Sequence, residues 1–235
     1  MRASSLLTTL PALTLMACAG EPAPGASQTA ESTSAAARTL PDPRINVLSN
    51  DYAEVFTVTL APGQVLPPHS GGARAIYALS DYTVRFTQQG QTSEQSWTVG
   101  QAHFHAAGEH SMENTGATEA RFLVVARTAQ SLAPNANTMT PPAAGSGPMQ
   151  QLVDNEDVTV AEVRLPVGAE LPRHRGRARV VYSLSDHTFS YASNGAAAES
   201  KSFVTGQAHW HDADEHTIVN TGSTEARFLI VQFKR

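Results

Sequence analysis

The chain has 235 residues, a formal net charge of -5, 41% hydrophobic residues and 16% charged residues. That apolar fraction is enough for a packed core, which excludes a wholly disordered chain, and the acidic balance argues against nucleic acid as a partner. The single cysteine, Cys18, excludes an intramolecular disulfide framework, and no apolar run is long enough for a mature membrane span.

In chain order, Arg2 is followed by an apolar stretch from Leu6 to Met16. It is too short to span a bilayer and reads as a secretory signal. It ends in Leu15-Met16-Ala17-Cys18, which resembles the bacterial lipobox: an apolar residue three before Cys, then a small residue, then Cys. The resemblance implies cleavage before Cys18 and acylation of its thiol and new amino group. Each buried CH₂ of an acyl chain contributes roughly 0.8 kcal/mol, so several chains hold a protein on a bacterial membrane. Ala19, not Asp, follows Cys18, so the inner-membrane retention signal of lipoproteins is lacking. The expected location is the cell envelope, at the outer membrane facing the periplasm in a Gram-negative cell. An ordinary signal peptide with Cys18 incidental is the other reading. After the signal (1–17), residues 18–41 are rich in Ala, Gly, Pro, Ser, Thr and Glu and are expected to be a disordered tether.

The remainder is written twice. Leu66-Pro67-Pro68-His69 matches Leu171-Pro172-Arg173-His174, and Tyr77-Ala78-Leu79-Ser80-Asp81 matches Tyr182-Ser183-Leu184-Ser185-Asp186. Gly100-Gln101-Ala102-His103-Phe104-His105 matches Gly206-Gln207-Ala208-His209-Trp210-His211, with one residue inserted in the second copy near Ser200. The expected domains are 42–128 and 149–235, packed on one another and joined by a linker (129–148) rich in Ala, Pro, Asn, Thr and Gly. Each copy has a strand pattern. Val55 to Leu60 alternates, whereas Ala120 to Ala126 and Arg227 to Phe233 are nearly continuous apolar runs. Turn signals such as Pro62-Gly63 and Gln89-Gly90 recur every 8–12 residues, the spacing of a sandwich or barrel.

Both copies resemble cupins, so the chain is similar to a bicupin, and the implied fold class is all-β with two tandem jelly-roll barrels. In the first cupin motif, Gly63 is followed after five residues by His69, and Gly168 likewise by His174. In the second, Gly100 leads to Gly108, His110 and Asn114, and Gly206 leads to His216 and Asn220. The departures are as informative. Gly71 and Gly176 stand where the motif has its second His, the motif Glu is missing, and Arg74 and Arg179 lie nearest its place. Ala106 and Asp212 replace the motif Pro. The usual three-His-one-Glu centre therefore cannot form as written.

His103 and His105, and likewise His209 and His211, could compensate, because residues two apart on a strand share a face. Imidazole suits divalent first-row metals. One candidate set is His69, His103, His105 and His110; the other is His174, His209, His211 and His216. Either could hold Fe, Mn, Ni or Zn; the alternative is that these residues are structural. Glu109 and Glu215 are the candidate general acid or base residues, or else solvated carboxylates. Arg173, Arg175, Arg177 and Arg179 form either a solvated basic face or an anion-binding rim. Phe104 and Trp210 read as core. Two functions stay open. The first is a lipid-anchored metal bicupin acting on a small organic molecule by the oxygenase, decarboxylase or isomerase chemistry that the resemblance implies. The second is a non-catalytic envelope cupin that binds a small ligand or has a structural role.

Overall fold

The computed structural model describes residues 42–128 and 148–234. The expected signal peptide, Cys18, the tether up to residue 41 and all but the last residue of the expected linker lie outside them. The described residues contain eighteen strands and no helix. The first copy supplies β1 (Arg44–Ser49), β2 (Ala53–Leu60), β3 (Val65–Gly71), β4 (Arg74–Ala78), β5 (Tyr82–Gln88), β6 (Gln91–Trp97), β7 (Ala102–His105), β8 (Gly108–Asn114) and β9 (Ala120–Arg127). The second supplies β10 (Met149–Asp154), β11 (Val158–Leu165), β12 (Glu170–Gly176), β13 (Arg179–Ser183), β14 (His187–Ser193), β15 (Glu199–Phe203), β16 (Ala208–His211), β17 (Asp214–Asn220) and β18 (Ala226–Phe233).

Each copy folds into two antiparallel sheets. In the first, β1-β2-β9-β4-β7 form a five-stranded sheet and β3-β8-β5-β6 a four-stranded one; the second repeats this with β10-β11-β18-β13-β16 and β12-β17-β14-β15. The two sheets of a copy close into a jelly-roll barrel. The hairpin from β5 to β6 turns on Gln89 and Gly90, both at positive φ (52° and 73°), which matches a two-residue turn of the primed type.

The sequence pattern follows from which faces are covered. The five-stranded sheets lie against each other, so their central strands are buried on both sides. That is why β4 and β13 are buried at every position and why β9 and β18 read as continuous apolar runs. Val55, Tyr77, Leu123 and Val125 pack with Val160, Tyr182, Leu229 and Val231 in one core shared by the copies. The contact is reciprocal: β1 meets β16 and β10 meets β7. Trp210, with Phe104 on the same core, points into this interface, where its ring stacks on Tyr52 at 5.0 Å. The four-stranded sheets face outward, and β17 accordingly alternates buried and half-buried positions.

Candidate functional site

The interior of each barrel is where the histidines converge. The pairing of β3 with β8 slips between Leu66 and His69, where Pro67 and Pro68 oppose Ser111 alone. The Pro67-Pro68 step creates this bulge, and the bulge lets both Leu66 and His69 face inward. His69 lands opposite His110, with ring centroids 4.1 Å apart. The same bulge in β12 sets His174 against His216 at 4.2 Å. The expected pairs on β7 and β16 also share the inner face. His103 stacks on Trp97 at 3.7 Å, His105 meets Phe86 at 4.7 Å, and His209 and His211 line the second barrel.

Into each cluster comes a guanidinium. After a two-residue link, Arg74 opens β4 and Arg179 opens β13, both buried and directed into their barrels. Arg74 Nη2 lies 3.0 Å from His110 Nε2, and Arg179 Nη2 lies 3.3 Å from His216 Nε2. Arginine only donates, so each imidazole Nε2 is the acceptor. A Cβ on Gly71 would stand 2.8 Å from Arg74 Nη1, and one on Gly176 2.3 Å from Arg179 Nη1. The guanidinium thus fills the volume of the missing second His of the motif.

These contacts decide whether the expected metal fits. The lone pair that His110 and His216 would give a metal is engaged by an arginine, and a fixed cation repels a second one. Among the described residues, no three or more His, Cys, Asp or Glu are grouped to hold a metal ion. As arranged, the eight histidines do not fit a divalent metal. Glu109 and Glu215 require a correction as well. Each adjoins an inward His on its strand, so each points outward. Glu215 is held there by Arg173 and by Arg175 at 3.0 Å. That pairing also accounts for the outward half of the alternating arginines.

The carboxylate inside is Asp214, a residue the motif reading passed over. It sits at the start of β17, opposite Gly176, where the first copy has Gly108 opposite Gly71. Its Oδ1 stands 2.9 Å from His216 Nδ1 and 3.6 Å from Arg179 Nη1. Tyr191, equivalent to Phe86, donates its hydroxyl hydrogen to Asp214, with His211 Nε2 (2.9 Å) as the alternative acceptor. Lys201 places its ammonium 4.1 Å from the centre of the Tyr191 ring.

Burial sets the protonation states. It pushes His216 down to about 3, aided by the Arg179 charge, and His110 down to about 4, aided by Arg74. Burial works to raise Asp214, but the Tyr191 hydrogen bond and the facing His216, His211 and Arg179 outweigh it and hold the carboxyl low. Tyr191 is pushed up, first by burial and then by Asp214. At neutral pH the second barrel therefore holds an ionised Asp214, a charged Arg179 and neutral His209, His211 and His216.

The barrels differ most in space. The second encloses a cavity of about 830 Å³, the first only about 140 Å³. Phe56 lines the small one, and the equivalent position in the other barrel is Ala161. The large cavity is walled by Leu171, Val181, Phe189, Ile218 and Phe228, with the charged network at one end. It can bury the apolar body of a small molecule and meet its polar end with Arg179, Lys201 and Tyr191.

The fold is similar to that of Lactobacillus farciminis oxalate decarboxylase in its formate complex, with a TM-score of 0.59, 15% identity, and coverage of 79% of this chain and 78% of that one. It is also similar to a cupin 2 conserved barrel domain protein from Leptotrichia buccalis, with TM-score 0.51, 13% identity, and 81% and 88% coverage. The chain has the cupin fold, present twice. A third similar structure is AerE from Microcystis aeruginosa, with TM-score 0.58, 13% identity, and 81% and 96% coverage. At these identities the likeness is one of architecture. No family model and no curated protein sequence matches the chain.

Proposed function

We propose that this bicupin is a lipid-anchored envelope protein whose second barrel binds a small organic molecule with an apolar body and an anionic end. The observation that carries the reading is the 830 Å³ cavity with Arg179, Asp214, Tyr191 and Lys201 at its charged end. Volumes of this size suit ligands of drug-like dimensions. The anchor rests on the lipobox-like Leu15-Met16-Ala17-Cys18, which contains the chain's one cysteine.

A second reading keeps a divalent ion of Fe, Mn, Ni or Zn in the second barrel. One observation favours it: His174, His216 and His211 lie together, with ring centroids 4.2 and 5.7 Å apart along the series. His174 Nδ1 donates to the carbonyl of Pro172 at 2.7 Å, which leaves Nε2 as the acceptor. Arg179 would have to leave His216 for such an ion to enter.

The test uses the full chain, extracted in non-ionic detergent and purified without a polyhistidine tag. Isothermal titration with benzoate and hexanoate is expected to give saturable binding of at least one of them, lost in Arg179→Gln. Elemental analysis after supply of Fe, Mn, Ni and Zn is expected to find no retained ion. A stoichiometric ion that disappears in His174→Ala with His216→Ala would establish the second reading instead. Turnover of oxalate would make the protein an enzyme rather than a binding module.

A further inference from the structure

The first barrel contains a buried cation with no counter-charge. Arg74 is 5% exposed, and its hydrogen bonds go to the carbonyl of Gly72 at 3.0 Å and to His110 Nε2 at 3.0 Å, both uncharged partners. Among the described residues no carboxylate pairs with it. A charge taken out of water is retained only when it is compensated.

The second barrel shows what the compensation looks like. There Arg179 faces the same imidazole, but Asp214 stands beside both, 3.6 Å from Nη1 and 2.9 Å from His216 Nδ1. The equivalent of Asp214 in the first barrel is Gly108, and the equivalent of Tyr191 is Phe86. The guanidinium, its imidazole partner and the bulged His recur, while the carboxylate is missing. A cavity of about 140 Å³ remains beside Arg74, His69 and His110.

We infer that this cavity is a binding site for a compact planar oxyanion, of the size of formate or nitrate, that takes the place of the Asp214 carboxylate. Arg74 supplies the charge and unused N–H donors on a rigid fork, which suits a planar two-oxygen group. His69 Nδ1 donates to the carbonyl of Pro67 at 2.8 Å, so its Nε2 is an acceptor for a protonated oxygen or a bridging water. The other groups facing the guanidinium are His103 and His105, both neutral. Glu54 and Arg44 line the outer part of the cavity and face each other there, and Asp42 also holds Arg44 at 3.0 Å. Phe56 leaves no room for a larger body, so the organic ligands of the second barrel are excluded. This site is separate from that proposed for the second barrel.

The test is titration of the full chain in detergent with sodium formate and sodium nitrate at constant ionic strength, read by calorimetry and by the thermal midpoint. Saturable binding of one anion per chain is expected, weakened at least about tenfold in Arg74→Gln, since a charge-assisted hydrogen-bond pair is worth that much. Arg179→Gln should leave it unchanged. Arg74→Lys keeps the charge but loses the two-pronged donor and should weaken binding by a similar factor, which keeps the test decisive if Arg74→Gln does not fold. Absence of saturable binding by the wild type overturns the proposal. So does binding that survives both first-barrel variants, or binding that is lost only in Arg179→Gln.

Discussion

Tyr77 of the first barrel donates its hydroxyl hydrogen to Glu162 of the second, 3.3 Å away across the interface between the two copies. Glu162 is 2% exposed and also accepts from Arg227 at 2.8 Å and Arg164 at 2.9 Å. Burial first, and the Glu162 charge second, push the Tyr77 hydroxyl up to about 12. Replacing Glu162→Gln keeps the shape but removes the charge that two guanidinium groups face. The expected cost is about 1–3 kcal/mol, at the low end for a buried pair because both arginines reach solvent. Tyr77→Phe should cost about 0.5–1.5 kcal/mol. Urea unfolding of the full chain measures both, and unchanged midpoints would show that the contact contributes nothing.

The difference in cavity volume can be reversed. Ala161→Phe should fill the second barrel as Phe56 fills the first, abolishing binding of organic acids while shifting the unfolding midpoint little. Phe56→Ala should cost about 2–4 kcal/mol, less than for a fully buried ring because Phe56 is half-buried. Calorimetry and urea unfolding on the two variants check the pair. Retained ligand binding in Ala161→Phe would place the ligand elsewhere.

Stability should depend on pH through the buried imidazoles. Burial lowers His103 to about 3 and His209 to about 4, against an ordinary value of 6.5. His216 and His110 are lowered to about 3 and about 4. The unfolded chain takes up protons below pH 6.5 while the folded chain does not, so stability is retained above 6.5 and falls as pH drops towards 4. Urea midpoints at pH 7.5 and 4.5 measure the slope. His103→Phe, which keeps the stack on Trp97, should flatten it, and an unaltered slope would assign the acid sensitivity to other groups.

The hydroxyl of Tyr191 links Asp214 to His211. Tyr191→Phe should weaken organic-acid binding to the second barrel about five- to tenfold, the worth of one neutral hydrogen bond. Phe86→Tyr in the first barrel should leave that affinity alone. Equal affinities in wild type and Tyr191→Phe would remove the hydroxyl from the ligand-binding end.

For the anchor, Cys18→Ser should abolish incorporation of radiolabelled palmitate and release the protein from the membrane fraction. Labelling that persists in the variant would exclude Cys18 as the acylated residue.

How far the sequence could be read depended on which copy-to-copy relation was followed. Repetition revealed the barrels, and the motif spacing put His69, His110, His174 and His216 in their interiors. Repetition carries information only at positions that both copies share. Tyr191 and Asp214 lie where the copies differ, opposite Phe86 and Gly108, so matching the repeats hid them. A comparison of the differences would have exposed them. Glu109 and Glu215 were readable from strand alternation, because neither can share a face with the His beside it. The inward aim of Arg74 and Arg179 was not readable, since each follows a short link across which strand parity is lost.

The reciprocal packing of the five-stranded sheets has the form of a two-fold homodimer drawn into a single polypeptide. In a true homodimer every residue change appears on both sides of the axis at once. Here Glu162 faces Tyr77, while its counterpart Thr57 leaves the symmetry-related position neutral. Joining the halves in one chain releases each from the symmetry of the other, so one barrel can close around Phe56 while the other opens at Ala161. The interface keeps the pair together as their interiors diverge.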